Sequence, residues 1–180
     1  MQIKTETDAR LFFALWPDTD LRQRLHALAL EYQPQCDARV MRPESLHMTL
    51  QFMGAVSRER LPCLLKAAAA VTMPAFAFKL DALWFWRHNH IGYAAPSEEL
   101  TPVDQLVASL RFELTSAGFQ FEQRAFNPHV TLLRNVKHVL ELQPLHPMVW
   151  KVNAFVLVES EMTELGFRYR ILHEWPLISG

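Results

Sequence analysis

The stretch SLHMTLQFMG, residues 45–54, is written twice in this 180-residue chain, and its reading decides the fold. NPHVTLLRN, residues 127–135, repeats its His-x-Thr-Leu core. Side chains of a strand alternate between two faces. His47 and Thr49 then share one face, with Met48, Leu50 and Phe52 on the other. In the second copy His129 and Thr131 share a face, opposite Val130 and Leu132. Each stretch reads as a strand with a polar side and a core side.

Working outward, the contexts of the two copies also match. RLFFALWP, residues 10–17, predicts a strand ending at Pro17. DTDLRQRLHALALEYQ follows with Leu21, Leu25, Leu28 and Tyr32 at helical spacing and Asp18, Thr19 or Asp20 as N-cap. Residues 33–44, with Pro34 and Pro43, read as a loop before the strand LHMTLQFMG. In the second half, HIGYAAP, residues 90–96, predicts a strand ending at Pro96. TPVDQLVASLRFELTSAG predicts a helix capped by Thr101, with Pro102 at its first position and Gly118 at its end. Its stripe is Val103, Leu106, Val107, Leu110 and Leu114. The strand NPHVTLLR completes the unit. Strand, helix, loop and His-x-Thr thus occur twice, as expected of a duplicated unit packed about a pseudo-two-fold axis.

Between and after these units, SRERLPCLLKAAAAV predicts a helix with Ser57 as cap, and Pro62 sits late for a first turn. AFAFKLDALWFW, residues 75–86, predicts a strand and RHNH a turn. VWKVNAFVLVESEM and YRILHEWPL read as further strands.

Half of the residues are hydrophobic, 21% are charged and the net charge is −1. This composition fits a globular chain with a sizeable core. It argues against a long duplex-binding face, which needs a basic field, but leaves room for a site holding one or two phosphates. Cys36 and Cys63 lack metal-type spacing and predict no disulfide framework. The N-terminal apolar run is too short for a signal-peptide core, and LLKAAAAVTMPAFAF is interrupted below spanning length. The expectation is a cytoplasmic protein with no membrane segment.

Two imidazoles facing one space permit acid–base catalysis, one taking a proton while the other gives one. Two threonine hydroxyls suit phosphate oxygens. Displacement at phosphorus needs both, and a cyclic ribose phosphate fits because its attacking and leaving groups lie on opposite sides of phosphorus. His-x-Thr is not a zinc spacing and carries no carboxylate or thiolate, so no metal and no cofactor are expected. The two motifs are nearly symmetric, and sequence physics leaves donor and acceptor open.

HMTLQFMG and PHVTLLR resemble the two signatures of the 2H phosphoesterase superfamily. RLFFALWP is similar to the first strand of its bacterial branch, the RNA 2′,3′-cyclic phosphodiesterases, formerly called 2′-5′ RNA ligases. The resemblance spans nearly the whole chain. It implies an α+β, bilobal fold: two pseudo-two-fold-related lobes of antiparallel sheet, outer helices and a central cleft. Residues 1–180 would form one domain of two interleaved lobes, with motifs at 47–50 and 129–132. The implied activity is metal-independent hydrolysis of RNA 2′,3′-cyclic phosphodiester ends to 2′-phosphomonoesters, with reversible 2′-5′ ligation using the same groups. The partner would be RNA with such a terminus, tRNA fragments included, and the protein a monomer. His47 would be the proton donor and His129 the acceptor, with Thr49 and Thr131 holding phosphate oxygens.

Arg134 follows the second motif as it does in that family and is a candidate phosphate contact. Strand parity places it opposite His129, so this role requires the strand to end or twist. Leu133 is a candidate to narrow the groove. Phe12, of one parity with Arg10 and Trp16, is a candidate to stack on a base. Arg39 and Arg42 are candidates for the cleft mouth. Trp84, Trp86 and Tyr93 read as core or lobe-interface residues, Arg87, His88 and His90 as a solvated turn. His26, His138, His146 and His173 read as structural or surface residues. The alternatives are a phosphodiesterase for small cyclic nucleotides or 2′-5′ oligonucleotides, and a non-catalytic RNA-end or nucleotide binder. Binding alone does not need two titratable groups.

Overall fold

The central strand of the first sheet is apolar on both faces, and this sets the architecture. The computed structural model describes residues 8–139, 143–164 and 166–178. Strand β1 (Asp8–Leu15) lies between β3 (Met48–Ser57) and β8 (Ala154–Thr163), with β9 (Gly166–Pro176) beyond β8. Leu11, Phe13 and Leu15 enter the main core, while Phe12 and Ala14 join Val156 and Val158 in a smaller cluster on the opposite face. A strand covered on both sides reads as a continuous apolar run, which is why RLFFAL lacks alternation.

The second sheet runs β2 (Arg39–Val40), β6 (Val130–Arg134), β5 (Ile91–Ala95), β4 (Phe76–Trp86) and β7 (Gln143–Val152). All named strand pairs in both sheets are antiparallel. Setting aside the two-residue β2 at the edge of the second, the two orders correspond: a motif strand, a strand ending before proline, then two more. The fold is α+β and bilobal, with two antiparallel sheets and helices outside them. The motif strands β3 and β6 belong to different sheets and approach each other from opposite lobes.

Helix α1 (Thr19–Cys36) follows β1 of the first sheet but packs on β2 and β6 of the second. Helix α3 (Thr101–Ser116) follows β5 of the second sheet and packs on β3 of the first, and on α2 (Leu61–Ala69). Each lobe's helix thus crosses to the other lobe. The α3 stripe is buried as its spacing predicts, and Gly118, at φ +77°, ends it in the left-handed region.

Several local readings need correction. Helix α1 passes through Pro34 and ends at Cys36, whose side chain is buried. The Cys36 carbonyl accepts the Lys137 and His138 N–H groups, so tertiary contacts hold the last turn past the proline. Asp18 is the N-cap, accepting the Leu21 N–H at 2.8 Å. Thr101 is the first residue of α3 and not its cap, which is Leu100 without a side-chain bond. Ser57 caps a short 3-10 turn, residues 58–60, and the α-helix starts after it, so Pro62 falls in a first turn. VWKVNAFVLVESEM is two strands, β7 and β8, broken at Asn153. No helix among the described residues is long and apolar enough to cross a membrane.

Candidate active site

The two histidines occupy equivalent places, one residue ahead of their strands. His47 precedes β3 and His129 precedes β6. Each ring is fixed by the carbonyl two residues back: His47 Nδ1 lies 2.7 Å from the Ser45 oxygen and His129 Nδ1 2.7 Å from the Asn127 oxygen. A carbonyl only accepts, so Nδ1 carries the proton in both rings. Nε2 remains as the nitrogen that can exchange a proton with a substrate.

Each motif strand then carries a bulge. On β3, Thr49 faces Ala14 and Gln51 faces Phe13, leaving Leu50 without a partner on β1. On β6, Thr131 faces Tyr93 and Leu133 faces Gly92, leaving Leu132 without one. An extra residue inverts the parity of the residues after it. Simple alternation therefore fails after each threonine. Leu132 and Leu133 are both fully buried, so Leu133 packs in the core and does not narrow the groove. Gly92 makes room for it, since a Cβ there would stand 3.2 Å from the Leu133 side chain. Arg134 swings to the face of Thr131 and lines the cleft with the two histidines. The same inversion in β3 corrects the reading of Phe52: it pairs with Phe12 on the cleft side and is 59% exposed.

His47, Thr49, His129, Thr131, Arg134 and Phe12 all line one cleft of about 710 Å³ between the lobes. Among its described lining residues Glu122 is the single carboxylate, against Arg10, Arg39, Arg111, Arg124 and Arg134. Glu122 pairs with Arg124 at 2.6 Å. A chain of net charge −1 thus carries a cationic cleft suited to an anion.

Aromatic rings brace both imidazoles. Phe12, Trp16 and Tyr169 surround His47 at centroid distances of 4.9, 5.4 and 5.1 Å, with Trp16 parallel to it. Phe12 is buried, so it backs His47, and Phe52 is the exposed ring beside it. Trp86 and Tyr93 meet His129 edge-on at 4.6 and 5.6 Å. They are therefore site residues as well as packing residues. Burial pushes His47 down to about 4, aided by the charges of His129 and Arg134 and opposed by the Ser45 carbonyl. Burial also lowers His129, with Arg134 adding to the effect and the Asn127 carbonyl opposing it. Tyr169 is raised by burial, against the pull of Arg134 and Arg10.

Of the other candidates, Arg39 lines the cleft, while Arg42 turns to the Phe167 carbonyl at 3.2 Å. His90 and His26 bond the backbone oxygens of Val136 and Met41, which are structural ties. Trp16, Tyr169, Phe52, Trp86 and Tyr93 escape a reading of the sequence as site residues. The one signal for Trp16 is its parity with Phe12.

One cleft thus gathers a His-x-Thr strand from each lobe, with both histidines and both threonines on its wall. Residues 15–92 match the LigT-like phosphoesterase family. The RNA 2′,3′-cyclic phosphodiesterase of Escherichia coli (strain K12) is 29% identical over 170 residues, covering 93% of this chain and 96% of that protein. The protein of the same name from Thermus thermophilus is 25% identical over 183 residues, covering 93% and 90%. The apo crystal structure of E. coli LigT superimposes with a TM-score of 0.86 at 27% identity, over 96% of this chain and 99% of that one. Its complex with 3′-AMP also gives 0.86, over 94% and 98%. The chain is thus similar to LigT-like phosphoesterases over residues 15–92 and to the proteins just named over nearly its whole length.

Proposed function

We propose that this phosphoesterase hydrolyses RNA ends that carry a 2′,3′-cyclic phosphate, leaving a 2′-phosphomonoester, as a cytoplasmic monomer in which both lobes act as one domain. The observation that carries the reading is the doubled tautomer lock, which leaves two Nε2 atoms to exchange protons in one cationic cleft. The names of the relatives supply the substrate class.

His129 Nε2 takes a proton from water as the water oxygen bonds to phosphorus. The P–O3′ bond breaks, and protonated His47 gives its Nε2 proton to the departing O3′. Arg134 offsets the charge that builds on the phosphoryl oxygens, and Thr49 and Thr131 donate hydrogen bonds to them. With a 5′-hydroxyl in place of water, the same sequence would make a 2′-5′ bond. In the free protein both imidazoles are shifted toward the neutral form, so the acid role of His47 requires the bound phosphate to raise it. That anion, brought into a low-dielectric cleft, acts in the required direction.

The test is incubation with an oligonucleotide ending in a 2′,3′-cyclic phosphate, with and without a chelator. Hydrolysis unaffected by chelator supports the reading. No turnover on this end, or loss restored by zinc, would overturn it.

A further inference from the structure

We infer that Gln51 and Arg111 form a latch between the lobes that positions His129, an inference that rests on His129 being the base. The bulge at Leu50 turns Gln51 inward, where it is 4% exposed. Its Oε1 accepts from Arg111 Nε at 2.6 Å. Its Nε2 donates to the Phe52 carbonyl at 2.9 Å and to the Glu122 carbonyl at 3.3 Å. A terminal nitrogen of Arg111, on α3, donates to the Arg124 carbonyl at 3.0 Å. The two side chains thus grip carbonyls 122 and 124 together.

Those carbonyls belong to the segment 119–129, which has neither helix nor strand to order it. It supplies Arg124, Phe126 and Asn127 to the cleft wall. It also contains the Asn127 carbonyl that receives His129 Nδ1–H. A side chain of the first motif strand therefore fixes the backbone that orients the second histidine. Packing alone does not call for an amide here. The corresponding position of the second motif, four residues after its histidine, is Leu133, fully buried. A leucine at position 51 would fill similar space and release the segment, leaving buried polar groups unpaired.

Gln51→Leu, Arg111→Lys and the double variant test the latch. Lysine keeps the charge but cannot supply the two-point fork, and it carries the test if Gln51→Leu does not fold. The first readout is the pH titration of the His129 imidazole by NMR, identified by its loss in His129→Ala. The groups facing that ring are Trp86 and Tyr93 from β4 and β5, Arg134 from β6, and His47 across the cleft. Releasing the segment admits water, which raises the midpoint, and loosens the Asn127 carbonyl, which lowers it; burial is the larger cause, so the midpoint rises toward the ordinary histidine value in each single variant and no further in the double. The second readout is kcat on cyclic-ended RNA, expected to fall roughly tenfold to a hundredfold, with KM within about threefold. Folded variants with unmoved midpoint and kcat would overturn the latch, as would additive effects in the double. If the parental protein lacks the activity, the phosphodiesterase reading fails while the titration still decides the latch.

Discussion

His47 and His129 are held alike, each by the carbonyl two residues back at 2.7 Å, yet five residues further on the strands carry Phe52 in one case and Arg134 in the other. Both positions reach the cleft by the same device, a bulge after the threonine. The rings around the histidines differ too: three brace His47 and two brace His129. The backbone repeat supplies two exchangeable nitrogens. The unequal side chains then give each nitrogen a different setting. Arg134 has no cationic twin, and its charge acts on both imidazoles.

Removing either half of the repeat should have the largest effect. His47→Ala and His129→Ala should each lower kcat by roughly a hundredfold to ten-thousandfold while the protein stays folded, as assayed on cyclic-ended RNA with circular dichroism as control. Full activity in either folded variant would break the acid–base pairing.

The unequal position comes next. Arg134→Met should cost roughly a hundredfold in kcat, the scale of a lost charge-stabilising donor. Phe52→Leu, at the matching place, should cost far less and act on KM. Equal losses in kcat would show that the two strands contribute alike to the chemistry.

Unlike surroundings should also separate the pH profiles. Protonated His47 is lost as pH rises through its pKa, so it sets the alkaline limb; neutral His129 is lost as pH falls, so it sets the acid limb. Bound phosphate should raise His47. The alkaline limb of kcat should therefore lie at higher pH than that of kcat/KM. Because the two sites are coupled, the limbs belong to the pair. Coincident alkaline limbs would contradict a substrate-charged acid.

The smallest effect concerns stability. The folded pKa of His47 is depressed to about 4, so the unfolded chain binds the extra proton between its ordinary value and that one. Stability is present above the ordinary value and declines as pH falls through this window. His47→Gln should flatten that decline when Tm is followed from pH 7 to pH 4.

Much of this was legible in the residues. The apolar letters of SLHMTLQFMG as far as Leu50 are core, and the α3 stripe is buried as spaced. The bulges were not legible, because an unpaired residue is a property of two strands in register and one strand's pattern cannot show it. Phe52 and Leu133 were misplaced for that reason, and Arg134, whose place in the cleft required its strand to end or twist, reaches it through the bulge. Tyr169 and Trp86 were missed because they arrive from strands distant in sequence and carry no motif. The run through Pro34 depends on backbone bonds from Lys137 and His138, again from far along the chain.

Hydrolysis of a cyclic-ended oligonucleotide in ¹⁸O-labelled water tests the central claim most directly. The account predicts a single product, a terminal 2′-phosphate carrying one labelled oxygen with a free 3′-hydroxyl. A 3′-phosphate would show that O2′ departs, and would contradict His47 as the donor to O3′.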